Sequence, residues 1–198
     1  MLETLKTIDE AIFLALNGFH SPFFDPIMWL FSDRIFWAPL YIWFLWLLYR
    51  QYPRHYWALL VSVTIMIVVS DQLCNLMKES VMRLRPSHEP QLHSLVHTLR
   101  GYTGGDYGFY SGHASNAFAV AVLVCNLLYK NSKYILWAAL AYAFLTSYSR
   151  IYLGVHYPGD VLTGALVGSL IGTGFGWMYK KLYFRYFLLK FSNRRFSR

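Results

Sequence analysis

The feature that most constrains this chain is a succession of apolar runs, each approaching or meeting the roughly 20 residues an α-helix needs to cross a bilayer. Five are clear: Ile35 to Tyr49, Tyr56 to Met77, Ala114 to Tyr129, Tyr134 to Tyr148, and Val161 to Tyr179. The last carries GALVGSLIGTGFGW, the small-residue pattern that lets membrane helices approach closely. A sixth stretch, Ala11 to Phe31, is interrupted by Asn17-Gly18, Pro22 and Asp25-Pro26. It reads as a bent span or as a helix lying in the headgroups, and the spanning reading is favoured. With 56% hydrophobic, 19% aromatic and only 14% charged residues, the chain has too little polar surface to face water all round and cannot be disordered. The expected fold is all-α: a polytopic membrane bundle of six transmembrane helices, five clear plus a bent N-terminal one. Residues 1–198 form a single domain ending in a basic tail, 180–198.

The net charge of +8 does not point to nucleic acid. Much of the positive charge lies between or after apolar runs, where anionic headgroups attract it. Because short cytoplasmic loops collect Lys and Arg, the set Arg50, Arg54, Lys130, Lys133, Lys180, Lys181, Arg185, Lys190, Arg194, Arg195 and Arg198 reads as cytoplasmic. With an N-terminal span Lys6 joins it, making twelve of the 18 basic residues. Arg34, Lys78, Arg83, Arg85, Arg100 and Arg150 are left on the opposite face. Glu3, Asp9 and Glu10 replace the basic start of a secretory signal, so no cleavable one is expected. Cys74 and Cys125 sit inside apolar runs as small hydrophobes.

Charged groups at the ends of membrane helices are costly unless paired, so clusters of them mark function. The first is KESVMRLRP, Lys78 to Pro86. If one helix carried both, Lys78 and Arg85 would lie about 20° apart on one face and roughly 10.5 Å apart along the axis. The second is GFYSGHASN, Gly108 to Asn116, where Ser111 is placed to cap a helix whose free N–H groups and dipole attract anions, with His113 in the first turn. The third is SRIYLGVHYPGD, Ser149 to Asp160. Pro158 suits a first helical turn, which places Asp160 near a helix N-terminus and close to His156. A histidine held by a carboxylate is suited to base or nucleophile work.

Each span crosses the bilayer once, so all three clusters fall on the same, non-cytoplasmic face. Together they offer Lys78, Arg85 and Arg150 as fixed cations, a hydroxyl, helix N-termini, and two histidines. That set matches a phosphate monoester, whose charge and acceptor oxygens suit Arg forks and a Lys.

At these residues the chain resembles the type 2 phosphatidic acid phosphatase (PAP2) superfamily, integral-membrane lipid phosphatases with a site similar to that of vanadium haloperoxidases. The family motifs KxxxxxxRP, PSGH and SRxxxxxHxxxD correspond to Lys78 to Arg85-Pro86, Tyr110-Ser111-Gly112-His113, and Ser149-Arg150 to His156 to Asp160. Tyr110 replaces the usual Pro. The resemblance implies a six-helix haloperoxidase-like core. It makes His156 the nucleophile of a phosphohistidine intermediate, Asp160 its orienting partner, and His113 the general acid and then base. Lys78, Arg85, Ser111, Gly112 and Arg150 would hold the phosphate. It implies no cofactor and no metal, the three cations doing what Mg²⁺ does elsewhere.

Glu89, His93 and His97 have the i, i+4, i+8 spacing of a zinc-binding helix face, but Pro86 and Pro90 disfavour a helix there. The loop Ser87 to Tyr110 reads as a polar cover that shapes headgroup selection. The expected function is hydrolysis of a terminal phosphate from a lipid phosphate or diphosphate. The resemblance favours undecaprenyl diphosphate or lipid A over phosphatidylglycerol phosphate or phosphatidic acid. A phosphotransferase using the same phosphohistidine and a non-catalytic lipid-phosphate binder are the alternatives. The expected setting is a bacterial inner membrane, with membrane lipids and the lipid substrate as partners, the site on the periplasmic face and the C-terminus in the cytoplasm.

Overall fold

The computed structural model describes residues 2–128 and 133–188. Seven α-helices follow in order: α1 Leu2–Gly18, α2 Phe24–Ser32, α3 Ala38–Gln51, α4 Tyr56–Val81, α5 Gly112–Leu128, α6 Lys133–Tyr152 and α7 Pro158–Leu182. A π-helical turn, Tyr183–Leu188, continues α7. Among the described residues the only β-pairing is one isolated bridge between Leu84 and Tyr107. Lys130, Lys190, Arg194, Arg195 and Arg198, assigned to the cytoplasmic set above, lie outside the described residues.

The helices form a bundle with its apolar core between α3, α4, α5 and α6. Phe44, Leu48, Leu59, Met66, Leu123, Leu128, Ile135 and Tyr142 are all buried there. Outward faces are apolar as well: Trp57, Leu60, Ile65 and Val68 on α4, Trp137 and Phe144 on α6, and Leu162, Leu166 and Leu170 on α7 are exposed. An apolar coat of this extent is unsustainable in water and is what a bilayer requires. Two stretches, Pro53–Val81 and Pro158–Arg185, are long and apolar enough to cross one by themselves.

The closest packing is α7 against α5, and the glycines of α7 permit it. Gly164, Gly168, Gly172 and Gly176 recur every four residues on one face of α7. A Cβ at Gly164, Gly168 or Gly172 would collide with the carbonyl oxygens of Ser111, Ser115 and Ala119 respectively. Without side chains the two backbones meet directly. Polar ties join α4 to the pair: the Asn116 amide donates to Asp71 Oδ1 at 2.7 Å, and the Ser70 and Ser115 hydroxyls lie 2.8 Å apart.

The bundle has two distinct ends. At one, Tyr52 donates to the Leu127 carbonyl and stacks edge-on with Tyr179, which in turn donates to the His55 carbonyl. At the other lie all three sequence clusters. The expected bent N-terminal span is instead two helices broken at residues 19–23, and their polar contacts are with the cluster end. Lys6 approaches Glu89, Asp9 meets Arg83 and Gly159, Asn17 bonds the carbonyls of His97, Ile151 and Tyr152, and Asp25 bonds Tyr152. Contacts from Lys6 to Asn17 with residues of this end seat α1 against it. Its apolar side seats Phe13 edge-on against Tyr157. Lys6 thus lies at the cluster end of the bundle.

The stripe generates a first prediction. Gly168→Ala should destabilise the detergent-solubilised protein by the ~1–3 kcal/mol typical of overpacking. Gly174→Ala, whose methyl would meet nothing within 4 Å, should be neutral or slightly stabilising. Equal melting temperatures for the two variants would contradict the close α5–α7 approach.

Candidate active site

The first cluster does not continue the helix. α4 stops at Val81, and Met82 adopts a left-handed conformation (φ 50°) with its N–H on the Lys78 carbonyl. Lys78 stays in the last helical turn, whereas Arg85 is extended (φ −72°, ψ 156°). The expected shared helical face for Lys78 and Arg85 is thus corrected: the αL stop redirects the chain before Pro86 could. Backbone bonds from Arg85 N to the Asp106 carbonyl and from Gly108 N to the Arg83 carbonyl clip this segment to the returning loop.

The second cluster opens α5 as expected. Ser111 is fully buried, and its hydroxyl accepts from Ala114 N at 3.4 Å. Its own N–H donates to the Asp160 carbonyl at 3.0 Å, which joins the second cluster to the third. Gly112 is pressed against Cys74, whose Sγ would lie 3.0 Å from a Cβ there. His113, half-buried in the first turn of α5, lies where Arg150, Arg34, His156 and Lys78 all act on it electrostatically.

The third cluster runs from the end of α6 into α7. Arg150 is buried, one nitrogen donating to the Ser32 hydroxyl and the other to the Tyr102 hydroxyl at 3.0 Å. Pro158 occupies the first turn of α7, and Asp160 Oδ2 accepts from Tyr157 N at 3.0 Å. The same oxygen lies 3.5 Å from His156 Nδ1, a separation that needs little closure to become a hydrogen bond. On the other side of the ring Arg85 Nη1 lies 3.3 Å from Nε2. Arginine can only donate, so Nε2 accepts and the proton belongs on Nδ1, facing Asp160. Burial pushes the His156 imidazole well below the ordinary histidine range, and Arg85, Arg150 and Lys78 push it the same way. The ring is neutral near pH 7, with its Nε2 lone pair turned towards the cations.

Among the described residues, none of Lys78, Arg85 and Arg150 forms an ion pair with a carboxylate, although Arg85 and Arg150 are buried and each leaves its Nε without a partner. Buried cations in this state favour an anionic ligand. Arg83, by contrast, is spent on two carboxylates, 2.9 Å from Asp160 Oδ1 and 2.7 Å from Asp9 Oδ2. All eight residues expected from the motifs therefore lie at one end of the bundle, converging on the loop around His156.

Sequence reasoning missed several neighbours. Ser32 and Tyr102 hold the Arg150 fork, and nothing in their local sequence marks them. Gly108 touches the pair itself: a Cβ there would lie 3.2 Å from Asp160 Oδ2 and 3.6 Å from His156 Nδ1. It opens the second sequence cluster, which gave it no role of its own. The zinc-like trio is dispersed. Glu89 approaches Lys6, His93 Nδ1 bonds the Pro90 carbonyl, and His97 bonds Asp25 at 3.1 Å, in a segment of turns with no α-helix.

Beside His113 an apolar cavity of about 270 Å³ enters the bundle, lined by Trp37, Tyr41, Phe44, Val120, Leu123 and Tyr142, with Arg34 and Asn116 also on its wall.

The chain matches the PAP2 superfamily over residues 55–184. It is 37% identical over 191 residues to a lipid A 4'-phosphatase of Bacteroides thetaiotaomicron, covering 92% of this chain and 81% of that protein. It is 35% identical over 173 residues to a lipid A 4'-phosphatase of Porphyromonas gingivalis, covering 86% and 72%. The crystal structure of a transmembrane PAP2 type phosphatidylglycerolphosphate phosphatase from Bacillus subtilis superposes with a TM-score of 0.70 at 26% identity, over 90% of this chain and 88% of that one.

The electrostatics of His156 give a second prediction. In histidine NMR of the detergent-solubilised protein, the His156 ring should stay neutral as pH falls through 6.5, the ordinary histidine value. Removing a neighbouring cation in Arg85→Gln should raise its titration towards that value. Titration of His156 near 6.5 in the unaltered protein would contradict the geometry.

Proposed function

The chain belongs to the PAP2 superfamily and is a membrane lipid phosphatase, and on that premise we propose that its substrate is a lipid A-type phosphorylated glycolipid, from which it removes a 4'-phosphate. The observation that carries the chemistry is the meeting of three cations without carboxylate partners, Lys78, Arg85 and Arg150, around a buried neutral imidazole. The choice of substrate rests on the two lipid A 4'-phosphatases, which match 92% and 86% of the chain and so extend well beyond the motifs.

Phosphoryl transfer asks chiefly for positioning and charge stabilisation. Lys78, Arg85 and Arg150 clamp the phosphate oxygens with Ser111, Gly112 and the free N–H groups of α5. A phosphate oxygen draws the Arg85 guanidinium off His156 Nε2 and frees the lone pair. Nε2 then attacks phosphorus as the bond to the sugar oxygen breaks, and His113 gives its proton to that oxygen. Asp160 stabilises the charge gained at Nδ1. Water next attacks the phosphohistidine, its proton passing to His113, and the N–P bond breaks to release inorganic phosphate. Since His113 serves the leaving group, the lipid body lies on its side, and the apolar cavity beside it takes part of that body. The three cations supply the charge that a divalent ion supplies elsewhere, so turnover is metal-independent.

The arrangement supports a bacterial inner-membrane protein whose whole chain is one phosphatase domain. Helices α3 to α7 make five crossings, one fewer than the six expected, because α1 and α2 both contact the active-site end. That end faces the periplasm. Arg50, Arg54, Lys133, Lys180, Lys181 and Arg185 belong to the opposite, cytoplasmic end, which leads into the basic tail. Arg50 over Trp46 and Lys181 over Trp177 are the cation–aromatic pairs expected at a headgroup boundary.

The test is phosphate release by purified protein in excess chelator from lipid A, undecaprenyl diphosphate, phosphatidylglycerol phosphate and phosphatidic acid. Lipid A should be hydrolysed fastest. His156→Ala should lose several orders of magnitude in turnover while still binding lipid, and Arg150→Lys, which keeps charge but loses the planar fork, should lower kcat/KM clearly. Preference for another lipid would overturn the substrate assignment. Activity lost in chelator and restored by a divalent ion would overturn the metal-free route, and product carrying phosphate on an alcohol would make the protein a transferase.

A further inference from the structure

Asp160 orients His156 with one oxygen; its other oxygen leads out of the recognised motifs. Oδ1 accepts from Arg83 Nη1 at 2.9 Å, and Arg83 Nη2 donates to Asp9 Oδ2 at 2.7 Å. Asp9 Oδ1 in turn accepts from the backbone N–H of Gly159 at 2.7 Å, one residue before Asp160. The links close a ring: Asp9 on α1, Arg83 after α4, and the first turn of α7. The Arg83 guanidinium also lies 3.9 Å over the Tyr157 ring, itself buried and seated on Phe13 of α1. Gly159 permits the approach, since a Cβ there would come within 2.7 Å of Asp9 Oδ2.

Asp160 has no exposed surface. An ionised carboxylate in that position needs a counter-charge and a full set of donors. Among the described residues Arg83 is its sole ion-pair partner other than His156. Arg85 is turned to the Val155 carbonyl and His156, and Arg150 to Ser32 and Tyr102. With both ends of its fork taken by carboxylates, Arg83 is not a fourth phosphate clamp.

We infer that Arg83 and Asp9 are positioning residues for the reaction: Arg83 fixes the orientation and charge of Asp160, Asp9 fixes Arg83, and α1 is thereby a working part of the active site. Neither residue is required by the motifs. Arg83 occupies an open position of KxxxxxxRP, and Asp9 lies outside residues 55–184, over which the family match extends. The inference rests on His156 as nucleophile and extends that reading to a tethered carboxylate. Outer partners that orient metal-bound histidines and carboxylates typically contribute 10- to 100-fold, and the same scale is expected for a tether on Asp160.

The test measures kcat and KM for phosphate release by Arg83→Gln, Arg83→Lys, Asp9→Asn, Asp160→Asn and His156→Ala, with Arg83→Gln and Asp9→Asn also placed on the Asp160→Asn background. Melting temperature and size-exclusion profile are recorded for each. Arg83→Gln should lower kcat by about 10- to 100-fold with KM little changed. Arg83→Lys, which keeps the charge but cannot span two carboxylates, should fall between it and the unaltered protein. Asp9→Asn should follow the same direction to a smaller extent. On the Asp160→Asn background neither should cause further loss, because the group they position is already gone. If Arg83→Gln fails to fold, Arg83→Lys and Asp9→Asn carry the same test. Unchanged kcat in well-folded single variants, a loss confined to KM, or full additivity with Asp160→Asn would each overturn the inference. Should His156→Ala be inactive while the Arg83 and Asp9 variants are normal, this inference alone fails; normal turnover in His156→Ala would overturn the nucleophile assignment and the inference with it.

Discussion

The site depends on the backbone contact between the first turns of α5 and α7. The Ser111 N–H donates to the Asp160 carbonyl, and Gly164 lies against the Ser111 carbonyl one helical turn below. These contacts set the anion-attracting end of α5 beside the loop that carries His156. Any side chain at Gly164, Gly168 or Gly172 would push the helices apart along the axis that fixes this distance. The same row of missing Cβ atoms thus serves both the packing of the fold and the placement of the candidate site.

Around that contact the distribution of charge is asymmetric in a way that chemistry explains. Four cations, Lys78, Arg83, Arg85 and Arg150, surround the His156–Asp160 pair, and among the described residues carboxylates are given to only one of them. Arg83 receives Asp160 and Asp9, which leaves Lys78, Arg85 and Arg150 without a carboxylate among the described residues and, on the proposed mechanism, free to hold an arriving phosphate. Were Asp160 turned to Arg85, the clamp would be partly neutralised and the imidazole would lose its partner. Arg85 rests on His156 Nε2, and Arg150 rests on Ser32 and Tyr102. Neutral partners of this kind hold the guanidinium groups in place without cancelling their charge, which a phosphate can meet with stronger, charge-assisted bonds.

Much of this was legible in the sequence. Helices α4 to α7 follow the expected apolar runs, with their site ends extended by two to four residues. The Ser111 cap, the Pro158 start of α7 and the proximity of His156 to Asp160 all follow from short-range rules, because each partner lies within five residues of the next. The Lys78 and Arg85 relation was misjudged for the complementary reason. Periodicity carries no mark of where an αL residue such as Met82 will end a helix when the residue is not Gly. The N-terminal segment went astray similarly: hydropathy records that α1 and α2 are apolar, not which direction they lie in.

The sequence by itself determined a helical membrane protein, a small-residue face on α7 suited to close approach, and the three clusters of residues that gather at one end of the bundle. Those properties depend on composition, on four-residue periodicity and on groups close together along the chain. Tertiary structure alone decided that α1 lies against the active-site end, that Asp9 reaches Arg83 and Gly159 across 74 and 150 positions of sequence, and that Ser32 and Tyr102 hold Arg150. The physical reason is that a buried charge selects its partner by position in space, after packing has chosen which distant segments meet. No local pattern of residues encodes that choice.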